Sequence, residues 1–232
     1  MKQVLITGAN RGIGLALTQQ LLHRGFQVYA TSRNPAQATA LQELQQAYPD
    51  LLTLIALDVT QEASIQQAAS QLRSHTRTLD WLINNAGVLY RGESITTLSS
   101  HQMNHTFQVN AIGPMLTTRY FLPFLQQSPH PIIAQISSIM GSHAYLTDNG
   151  YYSYRGSKAA LNMMSRVLAH EVRPLGITVL LIHPGWVRTQ MGGKEAPVLP
   201  EESAQGIIRL LNQATLKDSG RFFDWQGKEL SW

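Results

Sequence analysis

Residues 3–25 read QVLITGANRGIGLALTQQLLHRG, and the order of residue types within them decides the fold. QVLIT (3–7) is a short, β-branched apolar run halted by glycine, the pattern of a buried strand. From Arg11 onward the period changes. Ile13, Leu17 and Leu21 recur every four residues with Ala16 beside them, which makes one apolar helix face, and Gly25 closes it. Between strand and helix lies TGANRGIG (7–14), with Gly8, Gly12 and Gly14 in the turn and the helix opening. Glycines there let the backbone turn tightly and approach a pyrophosphate, while the helix N-terminus offers unpaired N–H groups and the positive end of its dipole. A glycine-rich turn alone need hold nothing. Set after a first strand and opening a helix, it points to a bound dinucleotide.

The alternation continues outward. FQVYATS (26–32), LLTLIALD (51–58), LDWLIN (79–84), IIAQISS (132–138), ITVLLIH (177–183) and GRFFDW (220–225) read as strands. Helical spacing fills PAQATALQELQQAY, with proline in its first turn, and QEASIQQAASQLRSH. It also predicts a long helix over about 99–123, another over about 150–173 ended by Pro174 and Gly176, and a last one in PEESAQGIIRLLNQ. Near-continuous apolar strands belong to a parallel sheet covered on both faces. Strand–helix alternation then gives right-handed crossovers and a doubly wound α/β sheet. No composition break, repeat or low-complexity linker marks a boundary, so residues 1–232 are expected to form a single domain.

With 44% hydrophobic and 14% charged residues, the 232-residue chain has a soluble globular composition and the length for a large core. The absence of cysteine excludes a disulfide framework, a thiolate metal site and a cysteine nucleophile, and a cytoplasmic location is expected. A net charge of +4 without a run of Lys and Arg argues against nucleic acid as a partner. MKQVLITGAN enters a strand at once, so no leader is expected, and no stretch approaches the ~18 apolar residues of a membrane span. His101 and His105 share helical spacing, but no acid is placed to complete a metal site; they read as a solvated helix face, and no metal is expected.

Binders of an unphosphorylated ribose usually end their second strand with Asp or Glu. Here that strand ends in YATSRNP, so Arg33 stands where the acid would be, and Arg11 lies inside the glycine loop. Two guanidinium groups there favour a 2′-phosphate, the alternative being two solvated surface arginines. Asp58 closes the third strand in LDVT, either as a cofactor contact or as a helix cap. NNAG (84–87) closes the fourth, as a contact or simply a turn. Both fall at the carboxyl ends of strands, where ligands bind in this architecture.

YYSYRGSK (151–158) carries the second chemical signal. Tyr154 and Lys158 are four apart on a predicted helix and share a face, whereas Tyr151 is matched by Arg155 and Tyr152 by Gly156. A nearby ammonium lowers a phenol from its usual pKa near ~10 toward a useful acid at neutral pH. Ser138 ends the preceding strand, where its hydroxyl can hold a substrate oxygen beside the phenol.

In order, TGANRGIG, LDVT, NNAG, Asn110 in VNAIGP, Ser138 in ISSIMGS, YRGSK and HPGWVRT make the chain resemble the short-chain dehydrogenase/reductase family over essentially its whole length. The resemblance implies a Rossmann-type fold with a seven-stranded parallel sheet, an NADP(H) cofactor and a small carbonyl or alcohol substrate. It implies a catalytic tetrad of Asn110, Ser138, Tyr154 and Lys158. Tyr154 would be the general acid in reduction. Lys158 would lower its pKa and hold the nicotinamide ribose. Ser138 would polarise the carbonyl, and Asn110 would sustain a water relay to Lys158. Cofactor contacts are implied at Asn10 and Ile13 alongside Gly8, Arg11, Gly12 and Gly14. Others are implied at Arg33, at Asp58 and Val59, and at Asn85, Ala86 and Gly87. Pro184, Gly185, Val187 and Thr189 would line the nicotinamide.

Within the family, PGWVRTQMGG, APVLPEESAQGI and SGRFFDWQGKELSW resemble the C-factor and sniffer-like carbonyl reductase group. Relatives also suggest a homodimer through the helices carrying Asn110 and Tyr154. The segment after Ser138 is slightly longer than in many relatives, and His143, Tyr145 and Tyr151 in it either shape the substrate pocket or pack the loop. Trp186 is either pocket wall or core, while Trp225 and Trp232 read as packing for the tail.

Three functions follow. NADPH-dependent reduction of a ketone or aldehyde uses every motif. A cofactor-binding sensor or signalling protein of C-factor type would not need Lys158 placed beside Tyr154. A sugar-nucleotide epimerase would need a larger C-terminal part than this chain has. Only about a dozen residues, Gln190 to Glu201, separate the nicotinamide clasp from the next helix, which predicts a short lid and an open pocket.

Overall fold

The computed structural model describes residues 1–232. β1 (Gln3–Ile6) pairs in parallel with β2 (Gln27–Ser32) on one side and β4 (Trp81–Asn84) on the other. β3 (Leu52–Ala56) extends the sheet beyond β2. β5 (Ile132–Ile136), β6 (Thr178–His183) and β7 (Phe222–Asp224) extend it beyond β4, giving the order β3-β2-β1-β4-β5-β6-β7 with all seven strands parallel. The chain therefore winds outward one way from β1 and then returns to wind the other way from β4. At that reversal the connecting segments diverge and leave a crevice at the carboxyl ends of the strands.

Alternate residues of each strand feed two different cores. Val4 and Ile6 pack with Leu17 and Leu21 of α1 (Gly12–His23), Leu41 of α2 (Thr39–Ala47) and Ile207 of α7 (Pro200–Gln213). Leu5, Leu82 and Ile133 pack on the opposite face. Their partners there include Ile65 of α3 (Glu62–Arg73), Phe121 of α5 (Gly113–Leu125) and Val172 of α6 (Tyr152–Val172). Burial on both faces is why the strands read as unbroken apolar runs.

The elements fall where the sequence places them, with shorter strands and two local departures. The segment expected to form the second helix opens with a 3₁₀ turn at Pro35–Gln37, so α2 begins only at Thr39. The helix expected over about 99–123 is three pieces: α4 (Ser100–Phe107), a π-helical turn at Gln108–Ile112, and α5. Two causes meet there. Pro114 has no N–H to continue the regular ladder. The Asn110 side chain also leaves the helix to bond the main chain of Val88, accepting from its N–H at 2.9 Å and donating to its carbonyl at 2.9 Å. No helix of the molecule is long and apolar enough to cross a membrane.

Ile207 is fully buried where α7 lies against α1. Ile207→Ala is expected to lower unfolding stability by about 2–5 kcal/mol, seen as a lower urea midpoint at an unchanged m-value.

Candidate active site

A cleft of about 720 Å³ opens at the strand-order reversal. Its floor is the glycine loop, whose shape is braced from β4 and β2. Asn85 Nδ2 donates to the carbonyls of Thr7 (2.9 Å) and Gly8 (3.1 Å), and Ala9 N–H donates to the Thr31 carbonyl (2.9 Å). Gly14 is a packing requirement: a Cβ there would lie 2.4 Å from the Gly8 carbonyl oxygen and 2.6 Å from Asn85 Nδ2. α1 starts with no side-chain cap and no acid in its first turn, so its free N–H groups and dipole meet the cleft uncompensated.

Most of the expected contact residues line this cleft. They are Gly8, Asn10, Arg11, Gly12 and Ile13, then Arg33, Asp58 and Val59, then Asn85, Ala86 and Gly87, and finally Tyr154, Lys158, Pro184 and Thr189. Gly14, Gly185 and Val187 stand behind the wall; a Cβ at Gly185 would meet Trp225 Nε1 at 2.9 Å, and Val187 is buried. Asp58 also accepts from the N–H (2.9 Å) and hydroxyl (2.7 Å) of Thr60, so it braces the turn before α3 and does not cap the helix.

α6 brings Tyr154 and Lys158 onto one buried face, at 9% and 4% exposure, while Tyr152 is 43% exposed. Lys158 Nζ donates to the Ile136 carbonyl at 2.7 Å and sits 5.8 Å from the Tyr154 ring centre. A Cβ at Gly87 would lie 3.5 Å from Asn110 Oδ1 and 4.0 Å from Lys158 Nζ, so these two groups converge on one stretch of wall. Asn110 is fully buried and donates to Ser157 Oγ (3.1 Å), which in turn donates to the Tyr154 carbonyl (2.8 Å). The Ser138 turn lies directly on α6, where a Cβ at Gly141 would approach the Lys158 backbone to 2.7 Å.

The electrostatics differ from the sequence expectation. Burial raises the Tyr154 phenol above its usual 10.0, and the facing Ser138 hydroxyl offsets part of that rise. The Lys158 ammonium does not lower it: its proton is aimed at the Ile136 carbonyl, and burial pulls the amine itself from 10.5 to about 8. Desolvation acts on both groups in the sense that favours their neutral forms.

Asn110 and Ser138 stand just behind the cleft wall, and His143, Tyr145, Tyr151 and Trp186 are not among the cleft-lining residues either. Tyr145 packs beside Leu181, Phe222 and Leu230, and the loop is tied to the tail by Ala144 N–H donating to the Trp232 carbonyl (3.1 Å). His143 is exposed in the adjoining turn, and Tyr151 precedes α6 in the left-handed region at φ 54°. Trp186 is 56% exposed and pins the lid by donating to the Gly192 carbonyl (2.8 Å). Trp225 and Trp232 do pack, the latter stacked on Phe222 at 5.5 Å.

Other lining residues went unread in the sequence. Ser32 is buried beside Arg33, and its hydroxyl has no protein partner. Tyr90 meets His105 at 3.0 Å, so His105, expected on a solvated helix face, is half-buried at the cleft wall. Arg91 donates to the Met191 carbonyl (2.7 Å) and Arg11 to Gln190, so two arginines latch the lid. Only Ser32 had a local signal, its place at the end of the second strand.

A family model described as short chain dehydrogenase matches residues 2–198. The chain belongs to the short-chain dehydrogenase family. Among its relatives in this family is C-signal of Myxococcus xanthus, 43% identical over 157 residues that span 68% of this chain and 95% of that protein. The NADPH-bound carbonyl reductase from chicken fatty liver superposes with a TM-score of 0.94 at 38% identity, covering 100% of this chain and 99% of the other. The carbonyl reductase Sniffer of Drosophila melanogaster gives a TM-score of 0.95 at 31% identity, with both chains covered completely.

A short-chain dehydrogenase with this buried lysine carries a pH-dependent load. The folded chain releases the Lys158 proton at about 8 and the unfolded chain near 10.5. Between those values the unfolded state binds more protons, so stability rises with pH, until near 10 ionisation of Tyr154 in the unfolded chain opposes it. In cofactor-free protein, Lys158→Met is expected to raise stability at pH 7 by on the order of 1–3 kcal/mol and to flatten the rise between pH 8 and 10, measured by urea unfolding.

Proposed function

We propose that this short-chain dehydrogenase uses NADPH to reduce a ketone or aldehyde to an alcohol, with Tyr154 as the proton donor. The observation that carries the reading is the placement of the buried Tyr154 phenol at the wall of a cleft that also holds Lys158, one helical turn along the same face of α6. A phenol is protonated at neutral pH and so carries the proton that reduction consumes, and the nearby Lys158 ammonium can stabilise the phenolate left behind.

The residues present fit a phosphorylated dinucleotide. The uncapped start of α1 suits the pyrophosphate. Arg11 and Arg33 suit a 2′-phosphate, and the unpartnered Ser32 hydroxyl adds a donor beside them. Lys158, mostly protonated below about 8, suits the nicotinamide ribose. Pro184 and Thr189 line the cleft wall on the nicotinamide side. The NADPH bound to the chicken relative supports the same choice.

When bound, the nicotinamide supplies a hydride to the carbonyl carbon. Ser138 holds the carbonyl oxygen, and Tyr154 passes its hydroxyl proton to that oxygen as the C=O double bond becomes a C–O single bond. Asn110 braces the arrangement. Both amide hydrogens are engaged, with the Val88 carbonyl and Ser157 Oγ, so a water relay toward Lys158 has only the oxygens of Asn110 to draw on. Pairing with a second copy through α6 would cover Met163 and Val167, which are exposed.

A second reading, a cofactor-binding signalling protein with little turnover, draws on the 43% identity to C-signal. Desolvating an ammonium and a phenol side by side serves chemistry better than signalling. NADPH consumption across a panel of quinones, aromatic aldehydes and small ketones separates the two, and silence across the panel favours the second.

Tyr154→Phe keeps the ring and the packing. It is expected to lower turnover by ~10²–10⁴-fold while NADPH affinity, read by fluorescence, barely changes. Tyr152→Phe should stay within a few-fold, and near-native turnover in Tyr154→Phe refutes the mechanism. The native enzyme should bind NADPH on the order of a hundredfold more tightly than NADH, and Arg33→Asp should narrow or reverse that ratio. Equal dissociation constants in the native enzyme refute the phosphate assignment.

A further inference from the structure

Only two charged side chains in the molecule are buried, Lys158 at 4% exposure and Glu93 at 8%. Lys158 belongs to the cleft. Glu93 has no part in the mechanism above, and it forms none of the molecule's ion pairs. A buried carboxylate without a cation is retained only where hydrogen bonds replace its hydration.

Those bonds come from one residue. Ser153 donates its N–H to one carboxylate oxygen of Glu93 at 2.9 Å and its hydroxyl to the other. Ser153 is the second residue of α6 and the immediate neighbour of Tyr154. This helix has no cap of its own: Tyr151 at its start offers no side-chain acceptor, and no acid lies in the first turn. Glu93 supplies the missing acceptor from 60 positions upstream, and its charge sits at the positive end of the helix dipole.

The main chain makes the same junction. Gly150 holds φ 82°, and a Cβ there would lie 3.1 Å from the Glu93 carbonyl oxygen, so the two backbones nearly touch. On the other side of Tyr154, Arg155 is tied to Asp148. The tyrosine is thus fixed through its neighbours. Glu93 also ends a segment that carries Tyr90 and Arg91 to the cleft wall.

We propose that Glu93 is a positioning residue, whose carboxylate sets where α6 begins and thereby the point in the cleft at which the Tyr154 hydroxyl meets the substrate. This rests on the reading of Tyr154 as proton donor. The juxtaposition joins the cleft wall to the acid, so a shift in one is carried to the other. A displacement of about 1 Å at a reacting group can lower a rate by ~10²-fold.

The test is steady-state kinetics of the full-length enzyme with NADPH and one accepted carbonyl compound, well below each variant's melting midpoint. Glu93→Ala should lower kcat by about 10- to 100-fold with KM and NADPH affinity within about twofold. Glu93→Gln should restore kcat to within about threefold, because its amide oxygen accepts the Ser153 N–H and its amide nitrogen donates to the Ser153 hydroxyl. Ser153→Ala, which keeps the N–H bond, should show a smaller loss of the same kind and serves if Glu93→Ala does not fold. In a Tyr154→Phe background, Glu93→Ala should have almost no further effect on kcat, as expected of a residue that acts through Tyr154. A Glu93→Ala enzyme that melts lower yet turns over at the native rate overturns the proposal. So does a loss that multiplies the Tyr154→Phe loss. Near-native turnover in Tyr154→Phe alone instead overturns the proton-donor reading, so the two failures are told apart.

Discussion

β1 has four residues and is hydrogen-bonded along both edges, to β2 and to β4. Everything in the site follows from the first strand of a parallel sheet lying in its middle. The chain must wind away from β1 in one direction, come back, and wind away in the other. The loops above β1 and β4 then part and leave an open crevice that no side chain fills. The glycine loop lies against one wall and NNAG against the other, and Asn85 ties them together with two hydrogen bonds. β5 and α6 then bring Tyr154 and Lys158 to the same crevice, with the Ser138 turn packed against α6 beside them.

Much of this was legible in the sequence because it is local. A strand that runs into glycines and then into a four-residue period is read within a single window. Tyr154 and Lys158 are recognisable as a pair because four residues on a helix restore the same face. What stayed hidden depends on residues far apart. The π turn depends, beside Pro114, on Asn110 finding Val88, 22 positions away. The cap of α6 comes from Glu93, 60 positions away. Tyr145 faces the tail because Ser231 and Trp232 fold back over its loop. The direction of the Tyr154 shift was hidden for a related reason. Spacing names the neighbouring charge, but the shift is set by burial, which is a property of the whole packed molecule.

The region around Tyr154 is assembled against the ordinary preferences of a protein interior. An ammonium, a carboxylate, a phenol, two amides and several hydroxyls are buried on and around α6. Each is tolerated because a specific partner is supplied, the Ile136 carbonyl for Lys158 and Ser153 for Glu93. Such networks fix geometry well and add little net stability, which is the balance expected where position matters more than strength.

The π turn at Gln108–Ile112 has a consequence for how this stretch can vary. A π turn is one residue more than the helix needs. Removing Ala111 or Ile112 would shorten the turn toward a regular helix, yet would rotate everything on one side of the deletion by about 100° about the axis. Phe121 would leave the core, or Asn110 would leave Val88. Side chains along this helix can be exchanged one at a time, but its length cannot drift, so insertions and deletions in homologues should collect in the loops on either side of it and not within it.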